Sequence, residues 1–346
     1  MQTESDKIVP TIADVARHAQ VSTATVSRCL NTPDLVQEKT RQKVLEAVEE
    51  LGYTPNFGAR ALVARRTNTI GAVIPTMENA IFARGLQAFQ ETLNERGVTL
   101  LLASSQYRPD LEEEQIRTLI ARGVDGILLI GYRRSEAIYR ALERRGIATL
   151  VAWACDPASP VPAVGFDNGK AMAALTRAVL ARGHRRLAVI SAQTEGNDRA
   201  SERVAGVRLA MREAGLDAAA LPLVETVYSI DAGGAALSDL MARSPRPTAV
   251  LCGNDVLAVG AIRQARRMGL GVPGDVSITG FDDIELATVI EPELTTVHVP
   301  HREMGTRAAL ALLEMIGRPH AVGSVALETR LCLRASLGPA PADRGQ

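Results

Sequence analysis

The amino-acid sequence predicts an α/β protein: an N-terminal all-α headpiece followed by a two-lobed region built on doubly wound parallel sheets. Three observations carry this. The first 66 residues show successive short helical patterns from Ile12 to Leu51 and no strand signal. From Thr69 onward, short continuous aliphatic runs alternate with amphipathic stretches, as parallel strands covered on both faces require. At 346 residues, the chain exceeds one ordinary core, since domains run to roughly 100–200 residues.

The strand-like runs are Ile70 to Ile74, Val98 to Leu102, Gly126 to Ile130, Ala148 to Val151, Leu187 to Ile190, Ala249 to Cys252 and Val276 to Ile278. Between them, Phe82 to Arg96 and Leu111 to Arg122 carry apolar residues three and four apart. Such a series implies more strands than one sheet holds, hence two lobes. The turn-rich segment Asp156 to Pro162 marks a boundary between them, and the Pro/Ala tail from Pro339 to Gln346 reads as frayed.

Composition narrows the function classes. Apolar residues make up 46% and charged residues 23% of the chain, which excludes disorder as its main state. Aromatics are 3%, so the core must be aliphatic. Thirty-nine basic residues balance 39 acidic ones, so net charge implies no partner. Cys29, Cys155, Cys252 and Cys332 lack metal or redox spacing and read as buried free thiols in a reducing compartment. The polar start Met1 to Asp6 does not suit a secretory signal, and no apolar run reaches the ~18 residues of a membrane span. These features point to a cytoplasmic protein without cofactor or metal.

The headpiece carries the sharpest motif. Thr11 caps a first helix whose Ile12, Val15, Ala16 and Ala19 form one apolar face, with Asp14 near its positive end. Ser22 caps a second, in which Val26, Cys29 and Leu30 point inward and Thr23, Ala24, Thr25, Ser27 and Arg28 outward. Two short helices joined by about three residues, the second bearing small polar side chains and an arginine, make a helix-turn-helix suited to the major groove. Residues 15–33 hold Arg17 and Arg28 and no acid, as contact with phosphate favours. A third helix runs from Glu38 to Leu51. Phe57 to Arg66 carries three arginines and no acid; it reads either as a solvated linker or as a segment that becomes helical on DNA, with Leu62 as a minor-groove wedge. Residues 1–66 hold nine basic and eight acidic residues, leaving 30 and 31 for the rest, so only the headpiece surface and hinge suit DNA.

These residues resemble the headpiece of the lactose/galactose repressor (LacI/GalR) family of bacterial transcription regulators. The resemblance rests on Thr11-Ile12-Ala13-Asp14-Val15-Ala16, Val21-Ser22, Thr25-Val26-Ser27-Arg28, Asn31, Thr40-Arg41, Val44, Leu51-Gly52-Tyr53, Pro55-Asn56 and Ala59-Arg60-Ala61-Leu62. It implies that Thr23, Ala24 and Arg28 read bases and that Thr11, Ser22, Thr25, Ser27 and Asn31 support or touch phosphates. Asn56 and Arg60 join the DNA-binding set, and Leu62 kinks the operator centre. Gln20 departs from the turn glycine, Gln37 from the hydroxyl cap, and Gly58 should loosen the hinge helix by about 1 kcal/mol against alanine. The implied organisation is a headpiece over residues 8–56, a hinge over 57–66 and an effector-binding and dimerisation domain over 67–346. Its N-lobe comprises 67–165 and 298–325, its C-lobe 166–297 and 326–338.

Ligands of doubly wound sheets bind beyond the carboxyl ends of the strands. There lie Pro75 to Phe82, Gly253-Asn254-Asp255 and Gly280-Phe281-Asp282-Asp283, with Arg203 on a helical stretch. Carboxylates accept from vicinal hydroxyls, arginine forks onto oxygen pairs and rings stack on sugar C–H faces, so the set suits a polyhydroxylated ligand. The family's periplasmic-binding-protein-like domain implies Arg203 and Asp282 as clamps, with Asn254 beside them. Asn79, Ile81, Phe82, Phe166 and Tyr228 complete the effector set, and Asp167 and Ser229 are weaker candidates. Val299 replaces a frequent glutamine, and Asn79-Ala80-Ile81-Phe82 departs from the common Asn-Pro-Phe-Phe.

Several motifs are decoys. Gly269-Leu270-Gly271-Val272-Pro273-Gly274 matches a dinucleotide fingerprint, yet a helix precedes it and a strand follows, the reverse of what pyrophosphate binding needs. Asp282 and Asp283 should face opposite ways on an extended segment. His298 and His301 read as interlobe or surface residues. No catalytic motif is present. The expected function is therefore a sequence-specific DNA-binding transcriptional regulator, a repressor, not an enzyme. It would bind a near-palindromic double-stranded operator as a homodimer or tetramer, without a membrane. A small-molecule effector would control it: a sugar, a sugar acid or a nucleoside-like molecule. The rivals are a cytosolic sugar-processing enzyme and a solute-binding module.

Overall fold

The computed structural model describes residues 10–54, 66–78, 80–318 and 322–342. They fall into two compact units, residues 1–67 and 68–346. In the first, α1 (Ile12–His18), α2 (Thr23–Asn31) and α3 (Glu38–Leu51) enclose a core of Val15, Ala16, Ala19, Val26, Cys29, Val44, Ala47 and Tyr53. Thr11 and Asp14 form a reciprocal capping box at the start of α1, which satisfies two otherwise orphaned N–H groups. Gln20 takes a left-handed φ of 55° in the turn, which explains why glycine would suit that position. Ser22 Oγ accepts from Thr25 N at 3.1 Å to begin α2. Gln37 makes no side-chain cap for α3, and Gly52 ends it at φ 62°.

The second unit contains two parallel sheets. The six-stranded sheet has the order β11 (Val325–Ala326), β5 (Ala163–Gly165), β4 (Ala148–Ala152), β3 (Gly126–Ile130), β1 (Thr69–Ile74), β2 (Thr99–Ser104). Its two faces explain its aliphatic runs. Ile70, Ala72 and Leu128 pack in one core with Phe89 and Leu93 of α4 (Ala80–Asn94) and Met304 and Leu312 of α12 (His301–Met315). Val73, Ile127 and Leu129 pack in another with Ile116 and Leu119 of α5 (Pro109–Ala121) and Ile138 and Leu142 of α6 (Glu136–Arg144). Successive residues of a strand point to opposite faces, so both must be apolar when both are covered.

The four-stranded sheet has the order β7 (Leu223–Thr226), β6 (Leu187–Ala192), β8 (Ala249–Cys252), β9 (Ser277–Thr279). Leu187 and Val189 meet α7 (Asn168–Ala181) and α8 (Asp198–Glu213). Ala188 and Ile190 meet α9 (Ile230–Met241) and α10 (Asp255–Arg267), with the short α11 (Leu286–Val289) beyond. The chain crosses between the sheets after β5, and again around the antiparallel pair β10 (Thr296–His298) and β12 (Arg330–Cys332).

Five strands fall outside the aliphatic runs: β5, β7, β10, β11 and β12. Four have three residues or fewer, and β7 is a half-exposed edge, so none shows the continuous apolar run of a doubly covered strand. Three expectations change. Cys155 and Cys332 are half-buried, although all four cysteines are free. The tail is pinned as far as Ala340, whose N–H donates to Arg182 O at 2.9 Å; residues 343–346 lie outside the described residues. Asp282 and Asp283 are not extended but left-handed, at φ 102° and 55°. The glycine-rich turn does follow a helix, α10, and precede a strand, β9.

Candidate functional site

The headpiece presents α2 as its polar face. Thr23, Ala24, Arg28 and Asn31 are exposed there, because Val26 and Cys29 turn inward and fix the helix rotation. Arg17 is tied to Asp14 at 3.0 Å and Arg41 to Glu38 at 2.8 Å. Arg28 makes no ion pair among the described residues, which leaves its guanidinium fork free for an acceptor. Guanine O6 and N7 offer such a pair. Ser22 Oγ and Thr25 Oγ1 bond each other at 2.9 Å, and Asn31 Nδ2 donates to Ser27 Oγ at 3.2 Å. These four side chains hold the face in shape while Thr23 and Ala24 stay small and open. Thr11 is occupied at the start of α1, donating through its hydroxyl to Asp14 at 2.7 Å. Asn56, Arg60 and Leu62 lie outside the described residues.

In the second unit, Arg203 on α8 anchors the cleft between the two sheets. Its Nε donates to Asn168 Oδ1 at 2.8 Å and its Nη1 to Gly253 O at 2.6 Å. Its Nη2 lies 3.6 Å from Asp282 Oδ1, and its guanidinium carbon sits 3.8 Å from the centroid of the Phe281 ring. Phe281 stacks on Phe166 at 6.0 Å. The planar cation is thus held by two acceptors and an aromatic face at once.

Asp282 is fully buried, and neither carboxylate oxygen has a hydrogen-bond partner among the described residues. Burial raises its pKa, with the charges of Arg203 and Arg199 acting the other way. Asn254 caps α10 through Oδ1, which accepts from Leu257 N at 2.9 Å, while its buried Nδ2 is left without a partner. Buried polar groups are almost always satisfied, so unpartnered acceptors and a donor facing one cleft signal a ligand's place.

The first sheet contributes Trp153, directly after β4, whose buried Nε1 also lacks a partner. Phe82 of α4 meets its ring edge-on at 5.3 Å, and His301 lies on another side at 6.3 Å. Burial pushes the His301 pKa down to about 3, so the imidazole is neutral at pH 7. His301 is therefore a buried part of this wall rather than a surface residue. Ile81 packs in the core beside Phe82, and Asn79 lies outside the described residues. Tyr228 meets Tyr107 at 5.6 Å, joining the loops that follow β7 and β2. Burial raises the pKa of both phenols.

The weaker candidates Asp167 and Ser229, and the strand-end carboxylates Asp255 and Asp283, have structural work. Asp167 and Ser229 cap α7 and α9. Asp255 is consumed by Thr296 Oγ1 at 2.6 Å and Ile284 N at 2.8 Å. Asp283 binds Arg334 at 2.6 Å and His298 at 2.8 Å, so the adjacent carboxylates do diverge, through left-handed backbone rather than strand alternation.

Trp153, Tyr107 and Arg199 escaped the sequence reading, which placed His301 only as an interlobe or surface residue. Trp153 had a usable signal: it is the lone tryptophan and directly follows an aliphatic run, the very position that singled out Asn254 and Asp282. Arg199 had none. It reaches across the cleft, where its Nη1 donates to Ile130 O at 2.9 Å, while Asp198 accepts from Tyr132 N. Gly131 sits between them at φ 71°, and a side chain there would collide with Arg199 Nη1 and the Asp198 carboxylate.

Comparison with known proteins agrees with both parts. Residues 11–56 match the model of bacterial regulatory proteins of the lacI family, and residues 176–337 that of a periplasmic binding protein-like domain. The chain is 36% identical over 307 residues to the HTH-type transcriptional repressor PurR of Vibrio campbellii, covering 88% of this chain and 92% of the relative. It superposes on a lac repressor dimer bound to operator and the anti-inducer ONPF with TM-score 0.84 and 25% identity, covering 95% and 99% of the two chains. It matches a complex of the transcriptional regulator CelR with cellobiose at TM-score 0.68 and 31% identity, covering 94% and 99%. Relatives of this kind are regulators, which sets aside the enzyme and solute-binding readings. The chain belongs to the lacI family of bacterial regulatory proteins and is a DNA-binding transcriptional regulator with an effector-binding domain.

Proposed function

We propose that this regulator is a homodimeric repressor whose grip on a near-palindromic operator is set by a sugar or sugar acid in the cleft. One observation carries the effector reading. Among the described residues, both oxygens of the buried Asp282 carboxylate and the buried donors Asn254 Nδ2 and Trp153 Nε1 lack hydrogen-bond partners, and all three residues are tied to one centre, Arg203, through Asn168, the Gly253 carbonyl and Asp282 itself. Adjacent hydroxyls of a sugar donate to a carboxylate and accept from amide and indole N–H groups, and C–H faces lie on aromatic rings. Cellobiose in the CelR complex supports a carbohydrate. The neutral His301 and Tyr107–Tyr228 pair would complete the wall.

For DNA, the reading assigns base contacts to Thr23, Ala24 and Arg28, with Ser22, Thr25, Ser27 and Asn31 behind them and Asn56, Arg60 and Leu62 in or beside the hinge. Residues 8–56 would form the headpiece, 57–66 the hinge and 67–346 the effector and dimerisation domain. One headpiece makes too few contacts for specific affinity, which favours twofold symmetry.

A thermal-shift screen of sugars and sugar acids, repeated with Asp282→Asn, tests the proposal. The expected result is a ligand that raises the melting temperature of the wild type only and changes operator affinity in a mobility-shift assay. An equal shift in the variant would place the ligand elsewhere.

A further inference from the structure

A second groove lies away from the cleft, between α8 and the edge strand β7. Thr194, Ser201, Arg208, Arg212 and Leu223 are among its lining residues. Ser201, Arg208 and Arg212 fall seven and four residues apart on α8, so they share one stripe of the helix. Both charged residues of the lining are arginines. Neither makes an ion pair among the described residues. Glu213, the carboxylate next along the chain, is taken by Arg177 at 2.8 and 3.0 Å.

Arg208 Nε is sealed from solvent and has no hydrogen-bond partner among the described residues. A guanidinium N–H shut off from water calls for an acceptor, because burying a charged donor without one is costly. The Thr194 backbone N–H is already given to Glu225 at 2.9 Å, which leaves the hydroxyls of Thr194 and Ser201 as further donors. Two guanidinium groups and two hydroxyls around one hollow match an oxyanion with several acceptor oxygens, better than a planar carboxylate with two.

We propose that this groove is an anion site for a phosphoryl group, either inorganic phosphate or the phosphate of a phosphorylated metabolite. Titrating the full chain with inorganic phosphate at fixed ionic strength, followed by phosphorus NMR line broadening, tests it. Binding should saturate. Arg208→Met, which keeps the alkyl stem, and Arg212→Gln should each weaken it tenfold or more, while Arg117→Gln on the exposed face of α5 leaves it unchanged. Arg212 is exposed, so its variant keeps the test valid even if Arg208→Met perturbs folding. A phosphorylated sugar titrated beside its unphosphorylated parent separates the sources. Tighter binding than phosphate that still needs Arg208 and Arg212 identifies a metabolite, and no gain identifies phosphate itself. Broadening that never saturates, or that is equal in wild type and both groove variants, overturns the proposal. So does saturable binding of an acidic peptide with none of phosphate, which would make the groove a protein-docking surface.

Discussion

Arg203 lies 3.8 Å from the centre of the Phe281 ring and 3.6 Å from the carboxylate of Asp282, the next residue along the chain. One side chain therefore organises both the aromatic floor and the anionic wall of the cleft. It can do so because Asn168 and the Gly253 carbonyl hold its other nitrogens.

Arg203→Lys should abolish effector binding, because an ammonium cannot reach two acceptors and cover a ring together. Arg203→Ala should also destabilise the second unit by roughly 3–5 kcal/mol, the range for leaving one charge of a buried pair uncompensated. Urea unfolding of the two variants measures the stability loss, and a smaller loss for the alanine variant than for the lysine variant would contradict it.

Acid should destabilise the protein through His301. Burial holds its pKa at about 3 in the folded chain, against 6.5 unfolded. The unfolded state then binds the extra proton first, so this contribution is full above pH 6.5 and lost as pH falls from 6.5 toward 3. Asp282 acts with the opposite sign: its raised pKa makes the buried charge a penalty that acid relieves. His301→Phe should flatten the fall in urea midpoint between pH 7.5 and pH 5, and an unchanged slope would exclude the histidine as its source.

Gly131→Val should weaken closure of the cleft. The added atoms meet Arg199 and Asp198 where they bridge to β3, and φ 71° disfavours any branched residue. Effector affinity is expected to fall tenfold or more with operator affinity in the absence of effector retained. Small-angle scattering should show a more open second unit, and unchanged scattering together with unchanged affinity would rule out the bridge as a closing contact.

Ser22→Ala should cost about 1 kcal/mol of headpiece stability, the usual value of a lost N-cap, and free the Thr25 hydroxyl. Specific operator binding should weaken accordingly, whereas Arg28→Ala should cost roughly 1–3 kcal/mol of discrimination with little loss of stability. Titrations on operator and random duplex at one salt concentration separate the two effects. Equal losses on both duplexes for Arg28→Ala would remove it from base reading.

The helix-turn-helix and the alternation of strands and helices were legible in local spacing, and the residues after the aliphatic runs brought Asp282 and Asn254, with Arg203, forward as candidates. Caps act within four residues, and covered strands need apolar side chains on both faces, so both are written in local spacing. Tertiary structure decided what spacing cannot express. Edge and crossover strands such as β5 and β12 owe their pairing to distant partners rather than to apolar runs. The meeting of Trp153 with His301 depends on how α12 packs against the six-stranded sheet, and that of Arg199 with Ile130 O on how the two sheets approach each other. Burial that leaves the Asp282 oxygens without hydrogen bonds and His301 without its proton is likewise a property of the assembled cleft, because desolvation is set by everything packed around a group and not by its neighbours in the chain.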